Sequence, residues 1–129
     1  MKVNITAGEA MNSMLVTKYS QERFVPFNEA MIVGSYTAPL FSTSFMEERA
    51  TTHGVSLVQY KEKLGGFIDV LDNIEKYDEI ILWFGDEPFC KANTDVVLQG
   101  LKDLSYKGKV VLNIVEEETA KIIKTEVIQ

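Results

Sequence analysis

Cysteine is almost missing from this 129-residue chain: Cys90 stands alone. A lone thiol excludes any intrachain disulfide and points to a reducing compartment. Histidine is equally scarce, with His53 the single imidazole. A hydrolytic triad would have no other base to draw on, and no His/Cys metal spacing exists. The chain also lacks a Gly-x-Gly-x-x-Gly fingerprint, a Walker loop and a Gly-x-Ser-x-Gly elbow. No cofactor is therefore expected. No apolar stretch approaches the roughly 20 residues that span a bilayer. The stretch from Met1 to Ile5 enters a strand pattern at once, without the apolar h-region of a signal peptide, so the expected location is cytoplasmic. Basic residues are outnumbered, 13 Lys and Arg against 19 Asp and Glu, for a net charge of -6. That disfavours nucleic acid and anionic membranes, which reward clustered cations. A small anionic ligand stays open, because a local pocket can oppose the net charge.

What is present describes a single globular domain over residues 1–129, with 46% hydrophobic and 25% charged residues. Lys2 to Thr6 is rich in β-branched residues and ends at Ala7-Gly8-Glu9, a strand followed by a turn and an acidic helix start. Met11, Met14, Leu15 and Tyr19 recur at helical spacing. Phe24, Val25 and Phe27 form a short strand, and Pro26 puts it at or near a sheet edge, or in a bulge. Asn28 to Ser44 is irregular, and at about 17 residues it is long enough to suggest function. Ser42 or Ser44 would cap a helix from Phe45 to about His53. Ser56 caps a longer one carrying Tyr60, Leu64, Phe67, Leu71 and Ile74 on one face. Gly65-Gly66 weakens its middle, and a kink is expected there.

The run from Asp78 to Asn93 carries the most information. Ile80 to Phe84 is unbroken apolar sequence, a strand buried on both faces. It ends in Gly85, and Asp86-Glu87-Pro88 turns the chain into a helix reaching about Leu104, with Val97, Leu98, Leu101 and Leu104 facing the core. Pro is well tolerated in a first helical turn. After a turn at Tyr106-Lys107-Gly108 comes a strand from Val110 to Val115. The tail from Ile122 to Ile128 reads as an antiparallel edge strand, with a helix over residues 116–124 the alternative. Strands alternating with helices imply right-handed crossovers and a three-layer, mostly parallel, Rossmann-like α/β sheet of four to five strands with helices on both faces. If the first and third strands are neighbours, a crevice opens at their carboxyl ends between Gly8-Glu9 and Gly85-Asp86, where ligands of such sheets bind.

Four segments in order, Thr6 to Glu9, Phe27 to Gly34, Phe45 to Arg49 and Asp78 to Asn93, resemble the bacterial domain of unknown function 1835. The likeness rests on Gly8 and Glu9, Glu29 and Gly34, Arg49, Leu82-Trp83-Phe84, Asp86 and Asn93, and covers roughly residues 2 to 116. It departs at Glu9, where the family commonly has Asp, and at Ser35, where it often has Pro. Many family members carry a further C-terminal domain. The resemblance implies an α/β fold, a bacterial or phage setting and a site map. It does not imply a reaction.

The expected ligand-binding residues are Gly8, Glu9, Asn28, Glu29, Gly34, Tyr36, Arg49, Trp83, Gly85, Asp86 and Asn93. In this reading Glu9 and Asp86 accept hydrogen bonds from the ligand, Arg49 holds an anionic group and Asn93 offers both a donor and an acceptor. Each residue has a plainer role too. Glu9 complements a helix dipole, Asp86 is an N-cap, Arg49 bridges to Glu29 or Asp86, Trp83 is core, and Cys90 packs as a small apolar residue. The favoured function is a small-molecule module for a polar metabolite or nucleotide-like ligand, acting as a sensor or sequestering protein. A carboxylate-based enzyme, with Glu9, Glu29, Asp86 and Glu87 able to hold Mg²⁺, is one alternative. A homo-oligomeric interaction protein, such as a homodimer through an edge strand or a helix face, is the other.

Overall fold

The computed structural model describes residues 1–129. The chain forms β1 (Lys2–Thr6), α1 (Glu9–Lys18), β2 (Phe24–Pro26), α2 (Thr43–His53), α3 (Leu57–Lys63), α4 (Gly65–Asp72), a 3-10 turn at Ile74–Lys76, β3 (Glu79–Phe84), α5 (Pro88–Asp103), β4 (Lys109–Val115) and β5 (Ile122–Val127). One five-stranded sheet runs β2-β1-β3-β4-β5. The first four strands are parallel and β5 is antiparallel to β4. No helix is long and apolar enough to cross a membrane.

The order follows from chirality. β1 connects outward to β2 on one side, and β3 connects to β4 on the other. Right-handed crossovers then place the intervening helices on opposite faces. α1 packs Met11 and Leu15 on Phe24, Trp83 and Val115, while Val3, Ile5, Leu82, Phe84 and Leu112 meet α2 to α5 in the larger core. Neighbouring side chains on a strand point to opposite faces, so Trp83 and Phe84 enter different cores. β1 and β3 are adjacent, with Thr6 opposite Trp83.

Pro26 closes β2, which is an edge strand, one of the placements the proline allows; Phe27 N–H then reaches the Thr6 carbonyl at 2.9 Å. Ser42, rather than Ser44, caps α2 through the Phe45 N–H. Ser56 and Gln59 form a capping box on α3. The expected kink at Gly65-Gly66 is a full break into α3 and α4, with the buried Leu64 as the joint. Leu104 corrects the expected core: it ends α5 at 47% exposure, while Val97 and Leu101 are buried. The tail is the antiparallel strand, not the helix.

Candidate functional site

Apart from Trp83 and Tyr36, the residues picked out by sequence reading fall into three places rather than one crevice. The first is a buried polar knot. Glu29 lies on the chain leaving β2 and Arg49 lies on α2, and both side chains are completely inaccessible. Arg49 grips the carboxylate with Nε on Oε2 at 3.0 Å and Nη2 on Oε1 at 2.9 Å. Its remaining donors go to main-chain carbonyls, Nη1 to Val33 and Ser35 at 2.6 and 3.0 Å and Nη2 to Ala30 at 2.9 Å. A guanidinium has five N–H groups, so none is left for a ligand.

Glu29 is equally saturated. It accepts from Ala30 N–H at 2.7 Å, from His53 Nε2 at 2.5 Å and from the Tyr60 hydroxyl. Burial pushes this carboxyl up, but the hydrogen bonds from Arg49, Tyr60, Ala30 and His53 outweigh it and hold the group at about 2. Burial and the Glu29 charge together push the Tyr60 phenol well above its ordinary range. Asn93, fully buried on α5, completes the knot: its Nδ2 donates to the Glu29 carbonyl at 2.7 Å and its Oδ1 accepts from Met31 N–H at 2.8 Å. The chain after β2 is thereby drawn across the carboxyl edge of the sheet to α5. Gly34 belongs here too. Its φ of +72° suits glycine, and an added Cβ would lie 2.7 Å from Thr52 Cγ2 and 3.5 Å from Arg49 Nη1.

The second place is an open groove of about 630 Å³ between the start of α1, the end of β2 and α3, lined by Glu9, Pro26, Asn28, Val55, Gln59, Glu62, Lys63 and Gly66. Asn28 Nδ2 donates to Glu9 Oε2 at 3.0 Å and to the Lys63 carbonyl at 3.1 Å. Gly8 is the extended N-cap residue of α1 beside it. Glu9, Asn28 and Gly8 are thus neighbours, but they do not face Gly85 and Asp86 across a crevice; Gln59 and Lys63, which also line the groove, were missed. Their signal lay in the polar face of α3, which reads from sequence only as a solvated side.

The third place is the end of β3. Gly85 is buried under Glu117 from the β4–β5 turn, whose Cγ lies 2.7 Å from where a Gly85 Cβ would stand. The Cys90 thiol donates to the same carboxylate. Burial and that hydrogen bond push the thiol up to about 12, so it stays protonated. Asp86 is not an N-cap: Glu87 occupies that position without a side-chain cap, and Asp86 pairs with Lys91 at 3.6 Å. A separate groove of about 470 Å³ between α5 and β5 holds Asp86, Lys91, Asp95, Lys124 and Glu126.

Trp83 is core: its Nε1 donates to the buried Asn4 Oδ1 at 2.9 Å, and its ring packs with Tyr19 and Phe24. Tyr36 is half exposed and leans on Phe45. The four acids considered for Mg²⁺ are dispersed, Glu29 in the knot, Glu9 in the open groove and Asp86 with Glu87 at α5. No three His, Cys, Asp or Glu side chains gather in a metal-binding arrangement. His53 and Tyr60 were not foreseen in the knot, although His53 sits one helical turn after Arg49, where α2 stacks them on one face. Comparison with family models, curated proteins and solved structures finds no match for this chain.

Proposed function

We propose that this chain is a binding module for a small polar ligand, taken at the carboxyl edge of the sheet in the groove between α1 and α3. The observation that carries this reading is the character of the open groove. Asn28 fixes the Glu9 carboxylate and the end of α3, while the Lys63 ammonium makes no ion pair and one Glu9 oxygen makes no hydrogen bond. One cation (Lys63), two carboxylates (Glu9 and Glu62) and two side-chain amides (Asn28 and Gln59) then face one space that is open to solvent. This set suits a metabolite or nucleotide-like molecule with an anionic group and hydroxyl or amine groups. Binding is favoured over turnover by the state of the perturbed groups. Glu29 is ionised and saturated, and Cys90 is a protonated thiol. General acid–base or nucleophilic work needs a reachable group tuned near the working pH.

The test is native mass spectrometry and calorimetry of the purified protein against a panel of nucleotides, sugar phosphates and amino acids. Binding should weaken at least about tenfold in Lys63→Ala and Glu9→Gln, the loss expected for one charged hydrogen bond. Retention of no panel member, or binding indifferent to both substitutions, overturns the reading.

A further inference from the structure

The outer edge of the sheet carries a second message. β5 bonds to β4 alone, so its other side is an unpaired edge. Ile128 N–H donates to the Val110 carbonyl at 2.8 Å, and backbone groups alternate sides along an antiparallel strand. The N–H and C=O of Val127 and Thr125 therefore point away from β4. The Thr125 side chain agrees: its Oγ1 reaches Asn113 Oδ1 at 2.8 Å, the close approach of a pair that exchanges no backbone bonds. Natural edge strands usually discourage pairing with a charge, most often Lys. Here the charge is Lys124, but Glu126 follows on the same face, 2.8 Å from it.

The segment Ile123-Lys124-Thr125-Glu126-Val127 is complementary to itself when reversed. Laid antiparallel on a second copy about Thr125, Lys124 faces Glu126, Glu126 faces Lys124, Ile123 faces Val127 and Thr125 faces Thr125. Shifting the centre to Lys124 sets Lys against Lys, and shifting it to Glu126 sets Glu against Glu, both of which cost stability. Only the Thr125 register satisfies the charges, and it is also one in which outward-pointing backbone groups meet. Ile123 and Val127, 64% and 66% exposed, gain an apolar partner in the same arrangement.

We propose that β5 is the contact strand of a homodimer, in which two copies of this chain pair antiparallel through Ile123–Val127 about Thr125 and join their sheets into one. The two-fold axis passes beside Thr125, as an isologous interface requires. The bulge between Ile114 and Val115 ends the straight part of the ladder near Ile123 and confines the pairing to this stretch.

The experiment measures mass by light scattering and sedimentation over a concentration series. Wild type should show twice the 14.6 kDa chain mass. Lys124→Glu places Glu at both charged positions, and Glu126→Lys places Lys at both. Each should weaken self-association about tenfold or more, since attraction becomes repulsion at two symmetric pairs, while far-UV circular dichroism stays unchanged. Mixed in equal amounts, the two variants should form a heterodimer, and the double swap in one chain should restore the homodimer. Thr125→Pro removes an outward N–H and should give a monomer. A monomeric wild type at about 100 μM, a dimer indifferent to these changes, or a mixture that fails to pair would each overturn the proposal.

Discussion

Replacing Arg49 with Met keeps most of the apolar stem and deletes the charge, so it isolates what the guanidinium does. Both partners of the ion pair have no solvent-accessible side chain. Removing one strands the other in a medium that cannot solvate it, which typically costs about 3 to 5 kcal/mol. Three carbonyls, of Ala30, Val33 and Ser35, lose their donor as well. Glu29 has an escape, because it can take up a proton. At pH 7 that costs about 3 kcal/mol for a carboxyl whose ordinary value is 4.5, which agrees with the range above. Near pH 5 the same escape costs under about 1 kcal/mol.

The variant therefore carries a signature. Its folded state holds a proton that its unfolded state has released, so its stability falls as pH rises, by about 1.4 kcal/mol per pH unit between 5 and 7. Wild type, with Glu29 at about 2, is flat in that window as far as this group is concerned. Urea unfolding followed by Trp83 fluorescence at pH 5 and 7 measures both effects. The expected loss is about 4 kcal/mol at pH 7 and about 3 kcal/mol less at pH 5, read as midpoint shifts at unchanged slope. A loss under about 1 kcal/mol that is equal at both pH values would refute the claim that this pair is desolvated and structural.

Wild type itself should lose about 3 kcal/mol on acidification as Glu29 is protonated. Its folded value is depressed, so the contribution is complete above pH 4.5 and disappears as pH falls through about 2; acid titration of the urea midpoint checks this against Glu29→Gln. Asn93→Ala leaves the buried Glu29 carbonyl and Met31 N–H without their partners, for an expected loss of about 2 to 4 kcal/mol and faster amide exchange at Met31. Cys90, held at about 12, should resist alkylation at pH 8, whereas Glu117→Gln removes one cause of the shift and should speed the reaction with a disulfide reagent. Gly108→Ala would drive a Cβ to 2.0 Å from the Tyr106 hydroxyl and 2.7 Å from the Asp78 carbonyl, breaking the turn before β4. A loss above about 2 kcal/mol is expected in thermal unfolding.

The sheet was readable because its signals are local. Ile80 to Phe84 is apolar on both faces and bounded by an acidic turn and Gly85, which leaves a buried strand as the natural state. Pro26 pointed to a place at or near an edge, or to a bulge, and crossover handedness then restricted the arrangement of β1 and β3. Arg49 and Glu29 stood out as chemistry-bearing residues in the right part of the chain, but their burial could not be read from sequence. Arg and Glu are almost never fully buried unless paired, and the pairing depends on contacts between segments about 20 residues apart. Tyr60 hid in an apolar helix stripe, where an aromatic is expected to pack rather than to donate a hydrogen bond to a buried carboxylate.

The knot also explains how an irregular segment holds its shape. Between Phe27 and Ser42 the chain belongs to no helix or strand, yet every main-chain group taken from water needs a partner. In most folds a ladder or a helix supplies them. Here one guanidinium serves three carbonyls, and one Asn side chain serves a carbonyl and an N–H. Arg suits this role because its donors radiate in a plane and it stays charged when buried, and Glu29 supplies the counter-charge that makes its burial tolerable. The segment is thus clamped from beneath, while Ile32, Val33 and Tyr36 stand about half exposed above it. Glu29, Arg49 and Asn93, expected from sequence to grip a ligand, instead fix the chain that crosses the carboxyl edge from β2 to α5. The groove at Glu9, Asn28 and Lys63 stays open to solvent at that edge.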